Sequence, residues 1–143
     1  MAGSRKAACN RGNFRQQGTG TRTNKETTMT ITRIDQGPRM SQAVVHGGTV
    51  YLAGQVGAPG ATVTEQTRAV LAAIDALLAR TGSDKDHLLT ATIWLADMAD
   101  FGEMNAVWDG WIAGHPAPAR ATSEGKLATP DFKVEIIIVA AVA

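Results

Sequence analysis

Residues 132–142 read FKVEIIIVAAV, a β-branched run that fits a strand better than a helix. With a period of two, Phe132, Val134, Ile136, Ile138 and Ala140 share one face, and Lys133, Glu135, Ile137, Val139 and Ala141 share the other. Both faces are apolar. Helices can cover one of them; the simplest cover for the second is another subunit, so the strand predicts an oligomer. Glu135 falls on that second face, where a carboxylate among apolar neighbours is costly unless a cation or a hydrogen-bond donor meets it.

Working back from this strand, "RATSEGKL" (120–127) reads as a second strand and "HLLTATIWLA" (87–96) as a third. Between them, Asp100-Phe-Gly-Glu103 has the pattern of a capping box, opening a helix with Phe101, Met104, Val107, Trp108, Trp111 and Ile112 on one side. Thr62-Val-Thr-Glu65 has the same pattern. It starts a helix whose Val63, Val70, Leu71, Ile74, Leu77 and Leu78 form one stripe, with Gly82 as the stop signal. "MSQAVVH" and "TVYLAGQ" flank Gly47-Gly48, a hairpin signal. The order β-β-α-β-α-β-β predicts an α+β fold, a mixed sheet with two helices on one face.

At 143 residues the chain suits one domain. No run of about 18 apolar residues is present to span a membrane, and the formal charge is +1. That charge is unevenly distributed. Residues 1–28 hold six Lys/Arg against Glu26, giving +5 and leaving −4 on the rest. The segment lacks Leu, Ile and Val, which predicts a disordered basic tail, as an upstream start codon ahead of Met29 would produce. The single cysteine, Cys9, lies in the tail, so neither a disulfide framework nor a cysteine nucleophile is expected in the body, and a reducing cytoplasm suits the chain.

His46, His87 and His115 are spaced too far apart to predict a metal site. There is no nucleophile elbow and no phosphate loop. Trp94, Trp108 and Trp111 fall at core spacing rather than as a base-stacking platform, and the acidic body makes nucleic acid an improbable partner. Arg120 and Glu135 remain. If their strands are neighbours, the two form either a structural ion pair or a carboxylate clamp beside a general acid/base.

"GPRMSQAV" (37–44), "VYLAGQV" (50–56), residues 66–112 with their "ADMADF" and "MN" passages, and "PARATSEGKLATPDFKVEIIIVAAVA" (118–143) together resemble the RidA/YjgF reactive-intermediate deaminases, also labelled L-PSP endoribonucleases. The resemblance spans residues 29–143. It implies a chorismate-mutase-like subunit in a homotrimer with a central barrel and clefts between subunits. It further implies cofactor-free hydrolysis of 2-imino or enamine acids to 2-oxo acids and ammonia. Carried over to this sequence, Arg120 would clamp the substrate carboxylate and Glu135 would assist water. Thr122, Gly54 and Asn105 would line the cleft.

Four positions depart from the family's pattern: Arg39 stands where a tyrosine is usual, Ala53 where a serine is, Thr122 where a cysteine is, and Ser123 where an aliphatic residue is. Arg39 would add a second cation to the cleft. Three alternatives stay open: a deaminase of aminomuconate-type compounds, a small-ligand-binding trimer without turnover, and a single-stranded RNA endonuclease.

Overall fold

The computed structural model describes residues 30–143; the basic tail at residues 1–28 and the alternative start at Met29 lie outside the described residues. Eight elements follow one another: β1 Thr32–Ile34, β2 Ala43–His46, β3 Thr49–Leu52, α1 Val63–Arg80, β4 Leu88–Leu95, α2 Phe101–Ile112, β5 Ala119–Glu124 and β6 Val134–Ala141. The α+β expectation holds with one strand added. β1 went unread because three residues containing an arginine carry no alternation to detect.

Gly47 and Gly48 take φ of 58° and 78°, the double positive that a two-residue turn between twisted strands requires. Thr62 caps α1 in both senses: its hydroxyl accepts from Glu65 N at 3.2 Å, and the Glu65 carboxylate accepts from Thr62 N at 3.0 Å. These bonds hold the Glu65 carboxyl below its ordinary range. At the far end Gly82 turns left-handed at φ 74°, and Ser83 N donates back to Leu78 O at 2.9 Å, closing α1 with a Schellman turn.

The second capping box does not form. Asp100 makes no side-chain cap bond, and Asp97 instead caps a short 3₁₀ turn at Met98–Asp100. Glu103 accepts from Thr64 N and Oγ1 at 3.2 and 2.8 Å, because the open amino end of α1 offers it donors that compete with its own helix.

The six strands lie in the order β1-β2-β3-β6-β4-β5, antiparallel except for the parallel pair β4–β5. Alternation in β6 is as expected: Val134, Ile136, Ile138 and Ala140 are fully buried, and the residues between them are half-buried. The helix-side core joins Val70, Ile74 and Leu78 of α1 and Met104 and Trp108 of α2 to Ile93, Leu95, Ile136 and Ile138. Among the described residues no helix is long and apolar enough to cross a membrane.

The largest polar side chain fully buried in this core is an amide. Gln66 is fully buried; its Nε2 donates to Ala61 O (3.1 Å) and Asp131 O (2.9 Å), and its Oε1 accepts from Lys133 N (2.8 Å). It fastens α1 to the segment entering β6. Gln66→Leu leaves those backbone groups unpaired and should cost about 2–4 kcal/mol, read as a lowered denaturation midpoint at unchanged slope.

Candidate functional site

Residues paired across a sheet point to the same side, so register places each side chain. Arg120 stands opposite Ala91, which stands opposite Ile138: the helix side. Its guanidinium carbon lies 5.3 Å from the centre of the Trp108 ring on α2. Glu135 stands opposite Trp94, which stands opposite Ser123: the other side. The two strands are therefore not neighbours. The chain passes from β4 through α2 into a parallel β5, and β6 then returns between β4 and β3, so β4 separates Arg120 from Glu135. Within one chain the expected ion pair does not form. The ion pairs among the described residues are Arg80–Asp35, His87–Asp84 and His115–Asp86.

The site residues named from sequence fall into two groups. On the helix side, Thr122 follows Arg120 by two residues along β5, and Asn105 precedes Trp108 by one turn of α2. Thr122 Oγ1 and Asn105 Oδ1 are the two buried side-chain oxygens without a hydrogen-bond partner among the described residues. Buried polar atoms are nearly always paired, which makes these two exceptions the polar groups to test as ligand contacts.

On the opposite side, the Glu135 carboxylate lies directly over Gly54. A β-carbon there would overlap Glu135 Oε1 and come within 2.9 Å of its Cδ. The glycine is held in place from both flanks. Ala53 N donates to Gln42 O at 2.9 Å, and Gln55 exchanges backbone bonds with Ile136 at 2.9 and 3.1 Å. Gln55 Nε2 also donates to Gln42 Oε1 at 3.1 Å.

Arg39 joins neither group through a hydrogen bond or ion pair among the described residues; it is exposed, in the turn closed by Gly37 N and Met40 O. The histidines are less isolated than their spacing suggests: His87 and His115 each meet an aspartate, at 2.7 and 2.6 Å. Of the three tryptophans, Trp94 is not core; it is 37% exposed on the Glu135 side. Trp108 was legible only as core, and its contact with Arg120 follows from the β4–α2–β5 crossover.

The sheet side that carries Glu135 also presents Val44, Tyr51, Ile137 and Val139, with Tyr51 48% exposed. Two concavities, of about 390 Å³ between α1 and α2 and about 370 Å³ at Ala96 and Lys126–Phe132, include neither Arg120 nor Glu135.

The profile of the family described as "Endoribonuclease L-PSP" matches residues 30–142. The chain belongs to this family, the RidA/YjgF proteins. It is similar to a RutC family protein of Haemophilus influenzae, 48% identical over 116 residues that cover 78% of this chain and 98% of the relative. It is also similar to the RutC family protein YoaB of Escherichia coli, 48% identical over 114 residues covering 80% and 100%. A crystal structure of a YjgF family member from Neisseria meningitidis superposes with a TM-score of 0.78 at 49% identity, covering 80% of this chain and 97% of that one. The six-stranded sheet with two helices is thus this family's fold.

Gly54→Ala separates site from scaffold. The clashing carboxylate is the far end of a flexible side chain, so it swings aside and stability should change by less than about 1 kcal/mol. Should Glu135 serve a reaction as a base, turnover would fall roughly tenfold or more, because its carboxylate is displaced. Parallel thermal melts and rate assays check this; a melt that falls in step with the rate would assign Gly54 to the fold.

Proposed function

We propose that this protein is a cofactor-free hydrolase of 2-imino acids and their enamines, acting as a homotrimer whose sites form where the Arg120 group of one copy meets the Glu135 group of the next. The observation that carries the proposal is the placement of these two residues on opposite sides of one sheet, each beside further family site residues and neither with a counter-ion among the described residues. The apolar surface around Glu135 supports the assembly, since burying Tyr51, Ile137 and Val139 against another copy removes them from water.

The guanidinium of Arg120 grips the substrate carboxylate through two parallel N–H donors. The imine carbon is already electrophilic, so the protein has only to position water and move protons. Glu135 takes a proton from the attacking water as its oxygen bonds to carbon and the C=N π pair moves to nitrogen. The proton passes on to nitrogen. Glu135 relays the hydroxyl proton of the tetrahedral carbinolamine to its nitrogen, the C–N bond breaks to release ammonia, and the oxygen pair re-forms C=O, giving the 2-oxo acid. Thr122 Oγ1 and Asn105 Oδ1 supply hydrogen bonds that orient the substrate.

The decisive experiment generates 2-imino acids in situ with an amino-acid oxidase and follows semicarbazone formation with and without the protein. The panel includes a dicarboxylic and a ring-cleavage enamine acid, so that Arg39 and the aminomuconate alternative are addressed together. Suppressed semicarbazone supports the proposal; a trimer that suppresses none of the panel is a ligand-binding protein. Stable monomers in sedimentation equilibrium would sink the shared site. The RNA endonuclease named in the family description is disfavoured by the −4 charge beyond residue 28, since RNA affinity rests on neutralising phosphates.

A further inference from the structure

We infer that Trp108 is a positioning residue for the carboxylate clamp, holding the Arg120 guanidinium by its π-face so that every in-plane donor stays free for substrate. The inference rests on the proposed carboxylate-binding role of Arg120 and names the device behind it. A clamp arginine needs an anchor, because a free side chain loses rotamer entropy each time it binds. The usual anchor is an aspartate or glutamate, which occupies the same N–H groups that the substrate must use. An aromatic face attracts the cation without taking any of them.

Arg120 has this arrangement. Its guanidinium carbon is 5.3 Å from the Trp108 ring centre, and no carboxylate pairs with it among the described residues. Trp108 is itself buried, only 4% exposed, although the arginine above it is exposed. Its ring packs against Trp111 at 5.2 Å and 51°. The Trp111 indole donates to both Asp75 oxygens at 3.2 and 3.1 Å, which ties it to α1. Lys85 Nζ lies 5.3 Å from the Trp111 ring and donates to Trp111 O at 3.2 Å. From Asp75 to Trp111 to Trp108 to Arg120, a fixed aromatic stack runs from one helix to the clamp.

The test uses the full chain, with 2-oxobutanoate as a carboxylate probe in calorimetric titrations and an imine substrate for kinetics. Trp108→Met keeps an apolar side chain but loses the π-face; it should raise both probe Kd and KM by roughly three- to thirtyfold, the span of a partly desolvated cation–π contact, and change kcat less than about threefold. Trp108→Phe restores a face and should recover most of the affinity. A tryptophan that only fills the core would lower the melting temperature while leaving Kd and KM of the folded protein at wild-type values, and that result overturns the inference. Should the methionine variant fail to fold, biosynthetic incorporation of mono-, di- and trifluorotryptophan decides, since fluorine drains the π-face with little change of shape. A stepwise rise in Kd that vanishes in Trp108→Phe supports the inference; a flat series overturns it. Arg120→Ala in the same titration separates the two levels. Lost probe binding beside unaffected tryptophan variants removes only the role of Trp108, whereas wild-type binding by Arg120→Ala removes the clamp and this inference with it.

Discussion

Arg120→Ala should lower imine turnover roughly ten- to a hundredfold, the equivalent of losing a charge-assisted carboxylate contact of about 1.5–3 kcal/mol, and further if the clamp also sets the angle of attack. Arg120→Lys should fall well below wild type as well, because an ammonium keeps the charge but not the planar fork. Both variants should stay folded and assembled: Arg120 is exposed on an edge strand, and its named contact is the Trp108 ring. Rates with a saturating and a limiting imine concentration, beside a melt and a sedimentation run, check all three statements. Turnover of Arg120→Ala within about threefold of wild type, a loss of no more than about 0.7 kcal/mol on the tenfold-per-1.4 kcal/mol scale, would show that the carboxylate is held elsewhere.

Much of the fold is legible locally because single residues decide it. Gly47-Gly48 can only turn, Thr62 and Glu65 satisfy each other's backbone, and the alternation of residues 134–141 survives into the buried and half-buried pattern of β6. What stays illegible depends on partners distant in sequence. The Asp100–Glu103 pattern matches that of Thr62–Glu65, yet Glu103 is drawn to Thr64 by the unpaired amino end of another helix. Asp84 and Asp86 meet His87 and His115 because the 3₁₀ turn at Lys85–His87 packs beside the end of α2, which spacing alone does not reveal. The candidate site shows the same division. Its residues can be named from sequence, but whether their two strands are neighbours in the sheet cannot be read from their order in the chain. The insertion of β6 between β3 and β4 sets both the separation of Arg120 from Glu135 and the opposite sides on which they stand.

That change of side gives a result that a site within one chain cannot produce. Glu135→Gln keeps the size and hydrogen bonding of the side chain but removes the base, so turnover should fall by about 10²–10³, within the usual contribution of a positioned general base. Arg120→Ala should lose the roughly ten- to a hundredfold given above. Because the two residues face opposite ways, each site of the proposed closed three-membered ring would take its arginine from one copy and its glutamate from the next. Co-expressing the two variants in equal amounts then rebuilds complete sites wherever an Arg120-intact copy meets a Glu135-intact copy in the correct sense. Random assembly satisfies that at about one site in four, since a head-to-tail interface distinguishes its two sides. Recovery should therefore approach a quarter of wild-type activity, far above either variant alone, while mixed trimers are verified by native mass spectrometry. If mixed trimers form and activity stays at the level of the single variants, Arg120 and Glu135 do not share a site between copies, and the proposed mechanism loses its base.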